Sequence, residues 1–190
     1  MWLGSGGNMF FRLSEVQVPL YVQGWDKNLL PLVEKNAIQN KIDIRHLCAL
    51  IQTESSGNVS AARYEVNYPW IRDVVAISKI WKVSSDTAQI LMKTSWGLCQ
   101  VMGAYAIELG LPKYKILPHE LCKPEYGILF GCLAWNQKKE RFKLVDPLDI
   151  YAHYNAGYAP KVDGKYKNQK YVDHFNANLL AFEKTNAPLH

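Results

Sequence analysis

The chain lacks the features that would assign it a chemistry from composition alone. Its four cysteines, Cys48, Cys99, Cys122 and Cys132, are far apart, without the paired close spacing of a zinc site. They read as buried, reduced thiols acting as small hydrophobes. The five histidines are scattered and none pairs with another ligand at helical spacing, so no metal and no cofactor is expected. No apolar run approaches the length of a membrane-spanning helix. The opening Met-Trp-Leu-Gly-Ser-Gly-Gly-Asn carries neither the positive region nor the long apolar stretch of a secretory signal. Synthesis in a cytoplasm, without stable membrane insertion, is the expectation. There is also no internal repeat and no linker long enough to divide the chain, so residues 1–190 are expected to form one domain.

What is present suits a globular protein with a substantial core. The 190 residues are 48% hydrophobic and 21% charged, unlike a disordered chain. Eleven Tyr and six Trp suit sugar or base stacking as well as ordinary helix packing. A net charge of +5 favours an anionic partner. Nucleic acid, a membrane surface and the bacterial wall all qualify, so charge does not choose among them. The basic run Lys161 to Lys170, with Tyr166, reads as a solvated loop between two helices.

Apolar spacing is helical along most of the chain. Residues 1–25 are irregular, because Gly4, Gly6, Gly7 and Pro19 oppose a long helix. Asp26 is placed to cap a helix running to about Asn40 through Leu29, Leu30, Val33, Ala37 and Ile38. Asp43 caps a second, whose stripe is Ile44, Leu47, Cys48 and Ile51. Residues 55–94 are a longer mixed segment, with short helices from about Arg72 to Trp81 and from Ser84 or Ser85 onward. Gly97 to Leu109 reads as helix through Leu98, Val101, Met102 and Tyr105, ended by Gly110. Pro124 opens a further helix, in which Gly127 and Gly131 permit close approach of a neighbour. Asp146-Pro147 begins another that Gly157 stops, and a last one carries Tyr171, Phe175, Leu179 and Phe182.

One residue stands out against this pattern. Glu54 falls three residues after Ile51 and seven after Leu47, so the apolar stripe of its helix points a carboxyl group inward. Apolar surroundings and the negative end of a helix dipole both disfavour its charged form, which would keep a proton ready near neutral pH. Periodicity leaves open that Glu54 turns outward as the helix ends at Ser-Ser-Gly-Asn. Asn155 lies at the matching position seven residues after Leu148, and Gln100 follows Ser95-Trp96-Gly97. Asn and Gln are neutral donor–acceptors that bind sugar hydroxyl and amide groups without adding charge. A protonated carboxylic acid flanked by such groups suits cleavage of a glycosidic bond.

The ordered motifs Glu54-Ser55, Gly97-Leu98-Cys99-Gln100-Val101-Met102, Tyr154-Asn155-Ala156-Gly157 and Tyr171-Val172 resemble those of lytic transglycosylases, in the lysozyme-like superfamily close to goose-type lysozyme. Ala61-Ala62-Arg63-Tyr64-Glu65 and Thr94-Ser95-Trp96-Gly97 look like segments of phage and prophage cell-wall lysis proteins. The resemblance covers roughly residues 26–182. It implies a mainly α, single lysozyme-like domain with a deep substrate cleft and little or no β-sheet, residues 55–94 forming part of the cleft wall. It implies that Glu54 is the catalytic acid/base, cleaving between N-acetylmuramic acid and N-acetylglucosamine and closing a 1,6-anhydro ring without water. Ser55 would bind substrate or fix the glutamate, Gln100, Tyr154 and Asn155 would bind saccharide, and Tyr171 would hydrogen-bond the Glu54 carboxyl.

The resemblance also implies peptidoglycan glycan strands as the partner, with no nucleic acid, and a monomer acting at the bacterial wall as an endolysin or virion-associated protein. Cys99 stands where the family usually has Met, and Gly103 where Pro is common. His153 replaces a small residue and is expected to be packed or at the surface. The stretch between Glu54 and Gly97 is longer than is typical of the family, and it holds Glu65, Asp73 and Asp86. Any of these could activate water across the sugar ring, which would make the enzyme a hydrolase instead. A non-catalytic wall-binding or virion structural protein that kept the fold is the remaining alternative.

Overall fold

The computed structural model describes residues 24–159 and 161–185, with side chains as far as residue 181. The expected irregular start, and the side chain of Phe182, lie outside the described residues. Among the described residues, the pattern of caps and apolar stripes produces eight α-helices in chain order. These are α1 (Leu29–Asn40), α2 (Ile44–Ser55), α3 (Val74–Trp81), α4 (Ser85–Met92), α5 (Gly103–Glu108), α6 (Pro124–Phe142), α7 (Pro147–Ala156) and α8 (Gln169–Thr185). Helix α1 begins three residues beyond Asp26, whose carboxylate instead accepts from the Asn28 amide. The other expected caps operate. Asp43 accepts from Arg45 N, Ser84 from Thr87 N and Asp146 from Leu148 N, each satisfying an amide that the first helical turn leaves without a partner.

Helix α2 occupies the centre. Ile44, Leu47, Cys48, Ala49, Leu50 and Ile51 are all buried, against α8 on one side and α1 on another. Helix α6 is buried nearly all round, through Ile128, Phe130, Cys132, Ala134 and Trp135, and carries α1 and α7 on its flanks. Gly131 lies where a Cβ would come within 2.4 Å of Cys99 Sγ, so this helix approaches the 97–100 turn as closely as its backbone allows. All four cysteines are free thiols, three of them buried. Among the described residues no helix is long and apolar enough to cross a membrane.

Three short strands, β1 (Ala62–Tyr64), β2 (Thr94–Trp96) and β3 (Val101–Met102), form an antiparallel sheet in the order β1-β2-β3. The register pairs Arg63 with Ser95, and Ser95 in turn with Met102. Helices α3 and α4 are thus an excursion from this sheet. It leaves at Tyr64, returns at Thr94, and is closed by the Glu65 amide donating to Lys93 O at 2.8 Å.

Two stretches differ from the expected elements. Residues 97–102 form a turn and a strand, not the opening of a helix, and α5 starts only at Gly103. The apolar spacing at Leu98, Val101 and Met102 fits either arrangement. The backbone decides: Gly97 has φ +69° and Gln100 has φ +47°, and left-handed residues cannot continue a right-handed helix. Gly97 is also in close contact, since a Cβ there would sit 2.0 Å from Leu121 O. The basic run after α7 is likewise a hairpin, not a loop, with β4 (Lys161–Val162) paired to β5 (Lys165–Tyr166). Asp163 and Gly164 make its two-residue turn at φ +50° and +76°, the Asp-Gly chemistry that a type I′ turn requires.

These two glycines separate strain from collision. Gly164→Ala adds only left-handed strain, because nothing lies within 4 Å of its Cβ position, and is expected to cost about 1–2 kcal/mol. Gly97→Ala adds a clash with rigid backbone as well and is expected to cost roughly 3 kcal/mol or more. Urea unfolding of both variants measures the difference; equal losses would contradict this account.

Candidate active site

Helix α2 delivers Glu54 in its last turn, and the chain then leaves through Ser56, whose left-handed φ of +53° allows its amide to close onto Gln52 O. The carboxyl faces the body of the protein, with part of the side chain still open to solvent. Helix α7 faces it. Tyr151, fully buried and stacked on Phe175 at 4.4 Å, donates its hydroxyl to Glu54 Oε1 at 2.8 Å. One turn later on the same helix, the Asn155 side chain stands close enough to favour the ionised carboxyl. Arg63 approaches from β1 with its positive charge.

These surroundings set the protonation of Glu54. Desolvation is the largest influence and drives its pKa up to about 7, against the pull of the Tyr151 hydrogen bond, the Arg63 charge and the Asn155 side chain. The site therefore contains a carboxylic acid balanced between donor and acceptor near neutral pH. Burial and the neighbouring carboxylate hold the Tyr151 phenol far above its usual range, so it remains a donor.

The remaining expected residues gather around this pair with distinct jobs. The Ser55 hydroxyl donates to Ile51 O at 3.2 Å or to Leu98 O at 2.8 Å, clamping the end of α2 to the 97–100 turn. Gln100 lies in that turn. Its Nε2 donates to Ala61 O and Gly97 O, and its Oε1 accepts from Ser95. Both donors are thus committed to main-chain carbonyls of this turn and of the residue before β1, leaving a lone pair on Oε1. Tyr154 donates to Cys99 O at 2.7 Å and joins α7 to the same turn.

Tyr171 is 48% exposed on α8, and the hydroxyl bonded to Glu54 is that of Tyr151 instead. The physical reason is direction. Tyr151 lies one turn before Asn155 on the face that α7 turns toward α2, whereas Tyr171 stands at the start of α8 with its ring half in solvent. Tyr151 was legible as a member of the Leu148–Asn155 stripe. Arg63, on a three-residue exposed strand, gave no periodic signal.

The excursion's acids have other occupations. Asp73 caps α3 by accepting from Ala76 N, Asp86 lies in the first turn of α4, and Glu65 pairs with Arg63. His153 is buried against Phe142 at 4.6 Å, as a packed histidine. Of the two tryptophans in the excursion, Trp81 is buried and Trp70 is 73% exposed.

A mainly helical body with a desolvated glutamate beside a small antiparallel sheet belongs to the lysozyme-like class of glycan-cleaving folds. More narrowly, the chain belongs to the transglycosylase SLT domain family, whose model matches residues 31–177. Its activity is accordingly of the peptidoglycan lytic transglycosylase type. No curated protein and no solved structure matches the chain.

Glu54 gives a stability signature with a definite sign. Folded Glu54 keeps its proton up to about pH 7, whereas its ordinary value is 4.5. The native state therefore binds more protons between these limits, and the stability this group contributes in full below pH 4.5 is lost as the pH rises through 7. Glu54→Gln removes that loss and is expected to gain roughly 3 kcal/mol on wild type between pH 4.5 and 8. Melting curves at both pH values check it. Tyr151→Phe keeps the stack on Phe175 but removes a bond that favours the ionised carboxyl. Activity on purified peptidoglycan is expected to fall about tenfold, with the alkaline limb of the pH profile moving upward.

Proposed function

We propose that the protein cleaves the β-1,4 bond between N-acetylmuramic acid and N-acetylglucosamine, with Glu54 as the single acid/base, and leaves 1,6-anhydro-muramic acid ends. Protonated Glu54 donates to the glycosidic oxygen, and the C1–O4 bond breaks with its electron pair passing to that oxygen. The ionised carboxylate then takes the proton of the muramic acid C6 hydroxyl as O6 bonds to C1. The ring closes, no water is consumed, and Glu54 ends protonated for the next cycle. A carboxyl titrating near 7 suits both transfers, because donor and acceptor forms are both accessible at neutral pH.

The observation that carries this reading is the isolation of Glu54. Hydrolysis with inversion needs a second carboxylate across the ring, and hydrolysis through a covalent intermediate needs one closer still. The influences that set the Glu54 ionisation are burial, then Tyr151, Arg63 and Asn155, and no carboxylate is among them. An internal hydroxyl of the substrate as nucleophile removes the need for one. In the same reading Asn155 and the Oε1 lone pair of Gln100 meet the saccharide, Tyr171 offers its half-exposed ring and hydroxyl to it, and Ser55 and Tyr154 hold the surrounding wall. Residues 1–190 act as one catalytic unit, in which segment 55–94 forms the outer side of the cleft. The resemblance of residues 61–65 and 94–97 to phage lysis proteins favours a role in wall lysis from the cytoplasmic side or from a virion.

The pairing of Glu65 with Arg63, the residue whose charge reaches Glu54, favours one second reading, in which Glu65 assists a water. Mass spectrometry of muropeptides released from purified peptidoglycan separates the two. Anhydro-muramic ends are expected from wild type and from Glu65→Gln, and none from Glu54→Gln. Reducing ends lost on Glu65→Gln would establish hydrolysis, and equal clearing by wild type and Glu54→Gln would remove Glu54 from the chemistry. The rate is expected to fall on the alkaline side with a midpoint near pH 7, where the general acid ionises.

A further inference from the structure

Asn168 precedes α8 at the position where an asparagine side chain ordinarily caps a helix. Only its main chain does so here, accepting from the Tyr171 and Val172 amides at 2.9 and 3.3 Å. The side chain turns away toward α7. Its Nδ2 donates to Ala152 O at 3.1 Å and to Asn155 Oδ1 at 2.9 Å, while its Oδ1 is buried with no hydrogen-bond partner among the described residues.

That arrangement fixes two amide orientations in sequence. Ala152 O is a carbonyl and can only accept, so the NH2 end of Asn168 must face it. The reversed amide would set two acceptors against each other. The same NH2 then faces Asn155, so Asn155 must present its oxygen to Asn168 and its own NH2 to the opposite side. Glu54 is the group whose ionised form the Asn155 side chain favours, as a donor on that side does. An unpartnered buried oxygen is unfavourable, and Asn168 retains one in keeping this orientation.

We infer that Asn168 is a positioning residue for the proposed reaction: by holding the Asn155 amide with its Nδ2 hydrogens toward Glu54, it makes Asn155 a fixed donor to the carboxylate form of the acid/base. The inference rests on the reading of Glu54 as acid/base. Chemically, the donor opposes the desolvation of Glu54 and helps the carboxylate that remains after the first proton transfer. The other titratable groups around the carboxyl are Tyr151 and Tyr154 on α7, Cys99 in the hairpin turn and Arg63 on β1. Both tyrosines and the thiol are held neutral by burial, with pKa values raised. The Asn155 amide and the Tyr151 hydroxyl are therefore the neutral donors on which the balance turns. An amide free to rotate would present its oxygen for part of the time and favour the protonated acid.

The test uses the full-length protein in two arms. In wild type, the side-chain amide proton signals of Asn155 are followed by NMR from pH 5 to 9, together with the 13C signal of the Glu54 carboxyl. The Asn155 Nδ2 protons are expected to move with the same midpoint as Glu54. Asn155 signals indifferent to the Glu54 titration would overturn the inference without any variant being made. In the second arm, Asn168→Ala and Asn168→Ser are assayed on purified peptidoglycan. For both, kcat is expected to fall about tenfold with KM changed less than twofold, and the Glu54 midpoint to rise by about half a unit. A loss of melting temperature with unchanged midpoint and unchanged kcat would reduce Asn168 to a structural role. Wild type that makes no anhydro product, while its Asn155 signals still follow Glu54, would sink the proposed reaction and leave the positioning geometry standing. The converse result would sink the positioning alone.

Discussion

Desolvation of the Glu54 carboxyl is the constraint on which the rest of the site depends. Taking a carboxylate out of water is strongly unfavourable, and the fold answers by letting the group keep its proton near neutral pH while supplying donors that limit the shift. Tyr151 is the principal donor, and its own position is secured by the stack on Phe175 and by full burial. Three helices thereby converge on one proton: α2 carries the acid, α7 carries its donors, and α8 supplies the ring that holds the first donor in place. The native state accepts an unfavourable ionisation at alkaline pH in return for an acid that works at neutral pH.

The small sheet does for the other side of the site what α7 does for this one. Ser55 ties the end of α2 to Leu98 O, Tyr154 ties α7 to Cys99 O, and Gln100 ties the turn to β1 through Ala61 O. The 97–100 turn is thus a junction of three elements, drawn tight against α6 at Gly131 and against Leu121, just before that helix, at Gly97. Segment 65–93, which makes the distance between Glu54 and Gly97 so long, is inserted into the sheet without disturbing it. The register of β1 against β2 brings its ends together, and the added helices α3 and α4 lie outside the junction.

Much of this was legible along the chain. Asp43, Ser84 and Asp146 announced helix starts because a side-chain acceptor before an apolar stripe answers a backbone need that no distant residue alters. The same arithmetic placed Glu54 on the inward stripe but left open a turn outward, which the bond from Tyr151 decides. The helix expected over 97–109 failed because four apolar positions at 98, 101, 102 and 105 satisfy a stripe and a strand-turn-helix alike, and only backbone sign at Gly97 and Gln100 separates them. The hairpin at 161–166 was missed although Asp163-Gly164 signals it, because four lysines in that run read as solvated coil. Assigning Tyr171 to the carboxyl failed for another reason: which of two tyrosines reaches Glu54 depends on how α7 and α8 rotate against α2.

The sequence by itself determined the local facts: where most helices begin, which stripe is buried, and that a glutamate ends one such stripe beside neutral amides in a recognisable order. These follow from interactions within a turn or two of chain, where spacing fixes neighbours. The tertiary structure alone decided the partners of Glu54, namely Tyr151 as donor, Arg63 as the nearby charge and Asn168 behind Asn155. The Tyr151 bond joins residues 97 positions apart, Arg63 and Asn168 lie on elements other than those they act on, and no local periodicity encodes any of these relations. They arise from the packing angles of α2, α7 and α8, which set the distances over which a hydrogen bond forms or fails.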